Sequence, residues 1–152
     1  MEREQLTVDV SAERVRPGLS RERTADAARV ALRAHRVRRA VISITFVTNP
    51  RIAALNHRHF GRRSTTDVIA VGFRRDSPGA PVIGDIYIAP GIAAQSARDH
   101  GITVREELTR LVVHGTLHVL GLDHPPDESR TASPMWMLQE RLVSRLLRTR
   151  VA

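Results

Sequence analysis

The sequence predicts an α+β domain in which about four strands form a mixed sheet packed with helices. Three observations predict it. Four segments are rich in β-branched residues over strand-like lengths. Others repeat apolar residues at helical spacing, and the helical segments begin and end at residues that cap helices.

Alternation over Gln5–Val10 predicts a first strand, and Pro17 with Gly18 predicts a turn after it. Ser20 then opens a helix. Ala27, Val30, Ala31 and Ala34 keep helical spacing within Ala25–Arg39, with arginines gathered toward the carboxyl end where the helix dipole favours them. Ala40–Thr48 reads as a buried strand because its apolar positions are isoleucine, valine and Phe46. Asn49 and Pro50 are helix-start signals for a short helix over Ile52–Phe60, which Gly61 ends. Thr66–Phe73 and Val82–Ala89 read as two further strands around the polar loop RRDSPGA. Pro90 fits the first turn of a helix to Asp99, with Gly101 as its stop. Thr103 and Glu106 form a T-x-x-E capping box before a helix from Val104 to about Leu120, closed by Gly121. Met135, Leu138, Leu142 and Leu146 place a last helix over Thr131–Arg148.

Composition narrows the chemistry. The 152 residues suit one domain, 1–152, large enough to form a core without covalent staples. Cysteine is absent, which removes disulfides, thiol nucleophiles and cysteine-ligated metals. All 24 basic residues are arginine, so a P-loop lysine and a Schiff base are excluded as well. The formal charge of +8 points to an anionic partner, because guanidinium forks match phosphates, and nucleic acid leads that class. Five aromatic residues are too few for a base-stacking platform of the RRM type. With no apolar run long enough to span a bilayer and no visible signal peptide, the expected location is cytoplasmic, without a membrane partner.

The chemistry-bearing run is His114-Gly-Thr-Leu-His118-Val-Leu-Gly121-Leu-Asp-His124. His114 and His118 stand one helical turn apart on one face, so both imidazoles can meet one ion. Gly121 can take a left-handed conformation and turn the chain back, which brings His124 to the same place. The neighbours Leu111, Val112, Val113, Leu117, Val119 and Leu120 mark the helix as largely buried, where unpaired imidazoles would be costly. One Zn²⁺ per chain is the expected ion, since three imidazoles suit it and leave a fourth position open, as in a catalytic site. The zinc peptidase pattern H-E-x-x-H-x-x-G-x-x-H carries a glutamate where this chain has Gly115, and peptide hydrolysis depends on that base. Phosphodiester cleavage fits better: three neutral ligands leave the +2 charge uncompensated for an anionic phosphoryl oxygen. Attack by a neighbouring 2′-hydroxyl and attack by hydroxide both remain open.

These residues resemble the YbeY family, bacterial endoribonucleases also called rRNA maturation factors, whose signature is H-G-x-x-H-L-x-G-Y-D-H. His114-Gly115, His118, Gly121, Asp123 and His124 match it. Leu55-Asn56 with Thr66-Asp67-Val68-Ile69 is similar to the family's L-N…T-D-V-L segment, and Ile83-Gly84-Asp85-Ile86 to its G-D-I strand. Glu107 stands at the position of a family helix glutamate, and Met135-Trp136-Met137-Leu138-Gln139-Glu140 fits the last helix. The resemblance implies a zincin-like, zinc-bearing helix near the carboxyl terminus and single-strand-specific cleavage of RNA. It also implies a role in maturing the 3′ end of the small-subunit (16S) rRNA and in ribosome quality control. Its implied partners are the small ribosomal subunit, a ribosome-associated GTPase and small-subunit proteins. His114, His118 and His124 become both metal ligands and catalytic residues.

Two departures stand out. Phe60 occupies the position of a family arginine, for which Arg58, Arg62 or Arg63 are candidate RNA-binding substitutes. Ala70-Val71-Gly72 replaces the family's Ser-Phe-Pro. Asp67 either orients a ligand imidazole or caps a turn, and Asp123 orients the Gly121 turn or accepts a proton. Asp85 reads as structural, Glu106 as a cap residue, and Glu107 as a partner of Arg110 or His114. His35, His57, His59 and His100 fall outside the ligand spacing and read as surface histidines, with contact to RNA the alternative for His57 and His59. Two rival functions remain: an RNA-binding ribosome assembly factor with a structural zinc, and a zinc hydrolase of another substrate.

Overall fold

The computed structural model describes residues 3–62 and 65–148. Its strands are β1 (Gln5–Ala12), β2 (Arg39–Phe46), β3 (Val68–Gly72) and β4 (Val82–Ile88). Its helices are α1 (Arg21–Ala34), α2 (Asn49–Phe60), α3 (Pro90–His100), α4 (Val104–Val119) and α5 (Pro134–Arg148), with a 3-10 turn over Glu128–Ala132. The sheet runs β1-β2-β4-β3: the first three strands are parallel and β3 is antiparallel on β4. This is the mixed four-stranded α+β architecture expected from the sequence.

Short polar signals set the helix ends. Ser20 accepts from the Arg23 amide at 3.1 Å, Thr48 from Arg51 at 3.3 Å and Thr103 from Glu106 at 3.0 Å, each satisfying an otherwise orphan first-turn donor. Gly61 and Gly101 follow their helices in the left-handed region, both at φ 66°. Several boundaries differ from the sequence expectation by a few residues, and two of them have a clear local cause. Helix α1 stops at Ala34 because Arg36 takes φ 59°, which lets the Val37 amide return to Leu32 O at 3.0 Å and the Arg36 amide to Arg33 O at 2.9 Å. That is a Schellman closure made without glycine. The last helix starts at Pro134 rather than Thr131. Ser133, held extended before the proline, ends the 3-10 turn, and its Oγ accepts from the Trp136 amide at 3.2 Å.

The principal core lies between one sheet face and α1, α4 and α5. Ile42, Ile44 and Ile86 are fully buried there against Ala27, Ala28 and Ala31 of α1 and Leu108, Val112 and Leu117 of α4. Each such isoleucine contributes about 1.5–3 kcal/mol through burial. A smaller cluster of Val47, Ile52, Leu55, Ile69 and Ala89 seats α2.

Helix α4 is the hub, packed on α1, α3, α5, β3 and β4. Its last turn presses on paired glycines: Gly72 and Gly84 are register partners. A Cβ on Gly72 would lie 2.7 Å from Val119 O, and one on Gly84 would meet the Val119 methyls. Glycine at both positions lets the His118 end of α4 rest directly on the sheet.

Candidate metal centre

His114 and His118 project from successive turns of α4. Between them Gly115 turns toward the sheet, where an added Cβ would come within 3.0 Å of Ile86 Cγ2 and 3.5 Å of Val68 Cγ2. Any Cβ at this position would press on the Ile86 side chain. Gly121 takes φ 92°, and the Gly121 and Leu122 amides return to His118 O and Leu117 O at 2.9 and 3.1 Å. This closure reverses the chain as the glycine implied and returns His124 to the helix.

The three rings converge. Ring centroids are 4.5 Å apart for His114 and His118, 5.1 Å for His114 and His124, and 5.2 Å for His118 and His124. One potential ligand atom from each lies within 4.8 Å of the others. Each Nδ1 faces an oxygen outside the cluster: Gln139 Oε1 at 2.6 Å for His114, Leu122 O at 3.1 Å for His118 and Pro125 O at 2.9 Å for His124. Those oxygens accept, so each Nδ1 carries the proton and each Nε2 keeps a free lone pair, the ligand form of imidazole. Gln139 is fixed in this sense because its Nε2 donates to Glu140 Oε2 at 3.0 Å. Glu140 in turn receives two bonds from Arg110, at 2.8 and 2.9 Å.

Burial holds the His114 imidazole down at about 4; the Gln139 bond opposes this, while His118, His124 and Arg130 add to it. Burial, and then His124, also lowers His118. Both rings are therefore neutral near pH 7. The donor set fits a divalent cation that prefers nitrogen.

Residues 7–147 match the family described as Endoribonuclease YbeY. The chain belongs to that family. Endoribonuclease YbeY of Beutenbergia cavernae is 39% identical over 112 residues, covering 68% of this chain and 73% of the relative. The Thermobifida fusca protein of the same name is 35% identical over 148 residues, covering 91% and 93%. A solved structure, TM1509 from Thermotoga maritima, shares the fold with a TM-score of 0.59 at 23% identity, covering 92% of this chain and 89% of that one.

Two clefts, of about 580 and 840 Å³, open on either side of the histidines of this YbeY-family chain. The first runs between α3, α4 and α5 and contains Glu106, Glu107, Arg110 and Trp136. The second runs along α2 and β3 and contains Asn56, Phe60 and Arg62. Arg62 thus lies in a cleft with all three histidines, Arg58 is exposed on the last turn of α2, and Arg63 lies outside the described residues. Asp67 lines both clefts. Burial raises its carboxyl, Glu107 adds to the rise, and the Asp67 and Val68 backbone amides oppose it. Asp123 accepts from the His124 amide at 2.8 Å, fixing the backbone of the third histidine.

Glu106 and Glu107 both reach Arg110, at 3.0 and 3.6 Å, and Glu107 accepts from Ser96 Oγ at 2.8 Å. Thr103 supplies the cap of α4, and the Glu106 carboxylate is engaged by Arg110. The orienting partner of His114 is Gln139, a residue that the sequence reading placed only as part of the last helix. The faint signal for it was a buried polar residue on the apolar side of α5, where it is 1% exposed.

Proposed function

We propose that the whole chain, 1–152, acts as one zinc-dependent endoribonuclease domain that cuts single-stranded RNA. Its setting is 3′-end maturation of small-subunit (16S) rRNA and ribosome quality control in the cytoplasm. The observation that carries this reading is the three-histidine set, pre-oriented by Gln139 Oε1, Leu122 O and Pro125 O, in a chain of the YbeY endoribonuclease family. Among the described residues, no helix is long and apolar enough to cross a membrane. The partners that fit are rRNA in the small subunit, with a ribosome-associated GTPase and small-subunit proteins.

His114, His118 and His124 would hold the ion through Nε2, and zinc so bound supplies Lewis-acid stabilisation of charge developing on a phosphoryl oxygen. The chain's residues do the rest. Their Nδ1 acceptors fix the tautomer and aim the rings, and burial keeps His114 and His118 neutral, so little reorganisation accompanies the reaction. Asp123 holds the His124 backbone, and Asp67 shapes the junction of the two clefts. Arg58, Arg62 and Arg63 are assigned to the RNA backbone, consistent with a formal charge of +8. Peptide hydrolysis is disfavoured because Gly115 stands where the peptidase pattern carries its glutamate base.

The test is cleavage of single-stranded RNA by purified protein of measured zinc content, beside His114→Ala, His118→Ala and a chelator-treated sample. The reading requires about one zinc per chain and loss of cutting in all three controls. Zinc without cutting, or cutting that survives in the variants, would transfer the assignment to an RNA-binding assembly factor with a structural ion.

A further inference from the structure

The two clefts share five residues: Asp67, Val68, His114, His124 and Arg130. Arg130 is the one arginine among them, and it sits where the clefts meet the histidines. Its charge is felt at the site, since it contributes to lowering both His114 and Asp67. Other arginines nearby are less well placed. Arg110 is engaged by Glu106, Glu107 and Glu140, so its charge is compensated. Arg62 lines only the second cleft. Among the described side chains, no carboxylate ion-pairs with Arg130.

Arg130 is also held. Its amide donates to Asp127 O at 3.1 Å, and its carbonyl accepts from Ser133 N and Ser133 Oγ at 3.1 and 2.6 Å. The guanidinium carbon lies 5.8 Å from the centre of the Trp136 ring. A cation–π contact of this kind restrains the guanidinium beside the indole without neutralising its charge, which stays available to an oxyanion. The same second cleft is lined by Phe60, 53% exposed and without charge, where the family resemblance expects an arginine. The cation that α2 does not supply at Phe60 is therefore available in this cleft from the 3-10 turn.

We propose that Arg130 is the residue of this chain that grips the scissile phosphate beside His114 and His124, through the edge of its guanidinium. This rests on the endoribonuclease reading above. The fork binds the non-bridging oxygens and stabilises the charge that gathers on them as a 2′-hydroxyl or water oxygen, giving up its proton, bonds to phosphorus and the P–O bond to the leaving oxygen breaks, that oxygen taking up a proton.

The experiment compares zinc-loaded wild type with Arg130→Ala, Arg130→Gln, Arg130→Lys and Arg62→Ala. It measures cleavage of a single-stranded oligoribonucleotide, zinc content, thermal midpoint and the salt dependence of binding to a 2′-O-methyl oligonucleotide. The expected result is unchanged zinc content with kcat down about 100-fold in Arg130→Ala and Arg130→Gln. Arg130→Lys should recover part of the rate, because a point charge replaces a fork. Arg62→Ala should act mainly on KM. The slope of log affinity against log salt should shrink by about 0.7 in the charge-removing Arg130 variants. If Arg130→Ala does not fold, Arg130→Gln and Arg130→Lys decide the point. Rates within twofold of wild type and an unchanged slope in folded variants would overturn the proposal. Failure of zinc-loaded wild type to cut would instead sink the endoribonuclease reading. The slope would then still decide on its own: unchanged, it overturns the phosphate contact at Arg130, and reduced, it supports it.

Discussion

His114 Nδ1 lies 2.6 Å from Gln139 Oε1, joining α4 to α5 across 25 residues of chain. Behind Gln139 stand Glu140 and Arg110, so the His114 ring is oriented through a relay of hydrogen bonds that ends in a guanidinium. Gln139→Met keeps the length of the side chain and removes both its acceptor and its donor. Zinc affinity in a competitive chelator titration should fall about 10–100-fold, the usual cost of losing an outer partner of a ligand histidine. Stability should fall by about 1–3 kcal/mol, because His114 Nδ1 is left without its acceptor. Unchanged zinc affinity would mean that ring packing alone fixes the imidazole.

The seating of α4 on the sheet makes a second prediction. Gly84→Ala would put a methyl into the side chain of Val119, one residue from His118. Overpacking of this kind costs about 1–3 kcal/mol. Gly79→Ala is the control, since nothing lies within 4 Å of a Cβ there. Chemical denaturation should show a lowered midpoint for the first variant and wild-type behaviour for the second. Equal midpoints would show that α4 can lift from the strands.

The legible parts of this fold are those written in local sequence. Ser20, Thr103, Gly61, Gly101 and Gly121 cap or close helices through bonds spanning a few residues, so their elements can be read directly. The His114, His118 and His124 set was legible for the same reason: one helical turn and one closure define it. Arg36 was hidden because a Schellman closure ordinarily advertises itself with glycine. Gln139 and Arg130 were hidden for a different reason. Each meets the site only after α5 and the 3-10 turn dock on α4, and no spacing within their own segments encodes that docking.

Asp67 gives a pH dependence. Burial raises its carboxyl above the ordinary carboxylate value, so between those two values the folded protein binds more protons than the unfolded chain. Stability attributable to Asp67 is therefore present at low pH and declines as pH rises through that window. Asp67→Asn keeps an acceptor for the backbone amides without ionising. Its thermal midpoint relative to wild type should climb from about pH 4 toward neutrality, starting at the unfolded value of an aspartate, and then level off. A difference that stays flat with pH would show that Asp67 ionises freely in the folded protein.

Removing the metal should separate a catalytic site from a structural one. In a site whose geometry comes only from the ion, chelation unfolds the protein. Here Gln139, Leu122 and Pro125 already orient the three rings, the Gly121 closure is made by backbone bonds, and α4 is anchored by a core to which none of the histidines contributes. The metal-free protein should therefore unfold in one cooperative transition with native-like helical circular dichroism. Zinc at 100 times its dissociation constant should add about 2.7 kcal/mol by mass action. His118→Ala should match the metal-free wild type closely and gain nothing from added zinc. Loss of the cooperative transition on chelation would show instead that the ion, rather than the Nδ1 acceptors, holds His124 and its loop against α4, and the reading of a preformed site would fail.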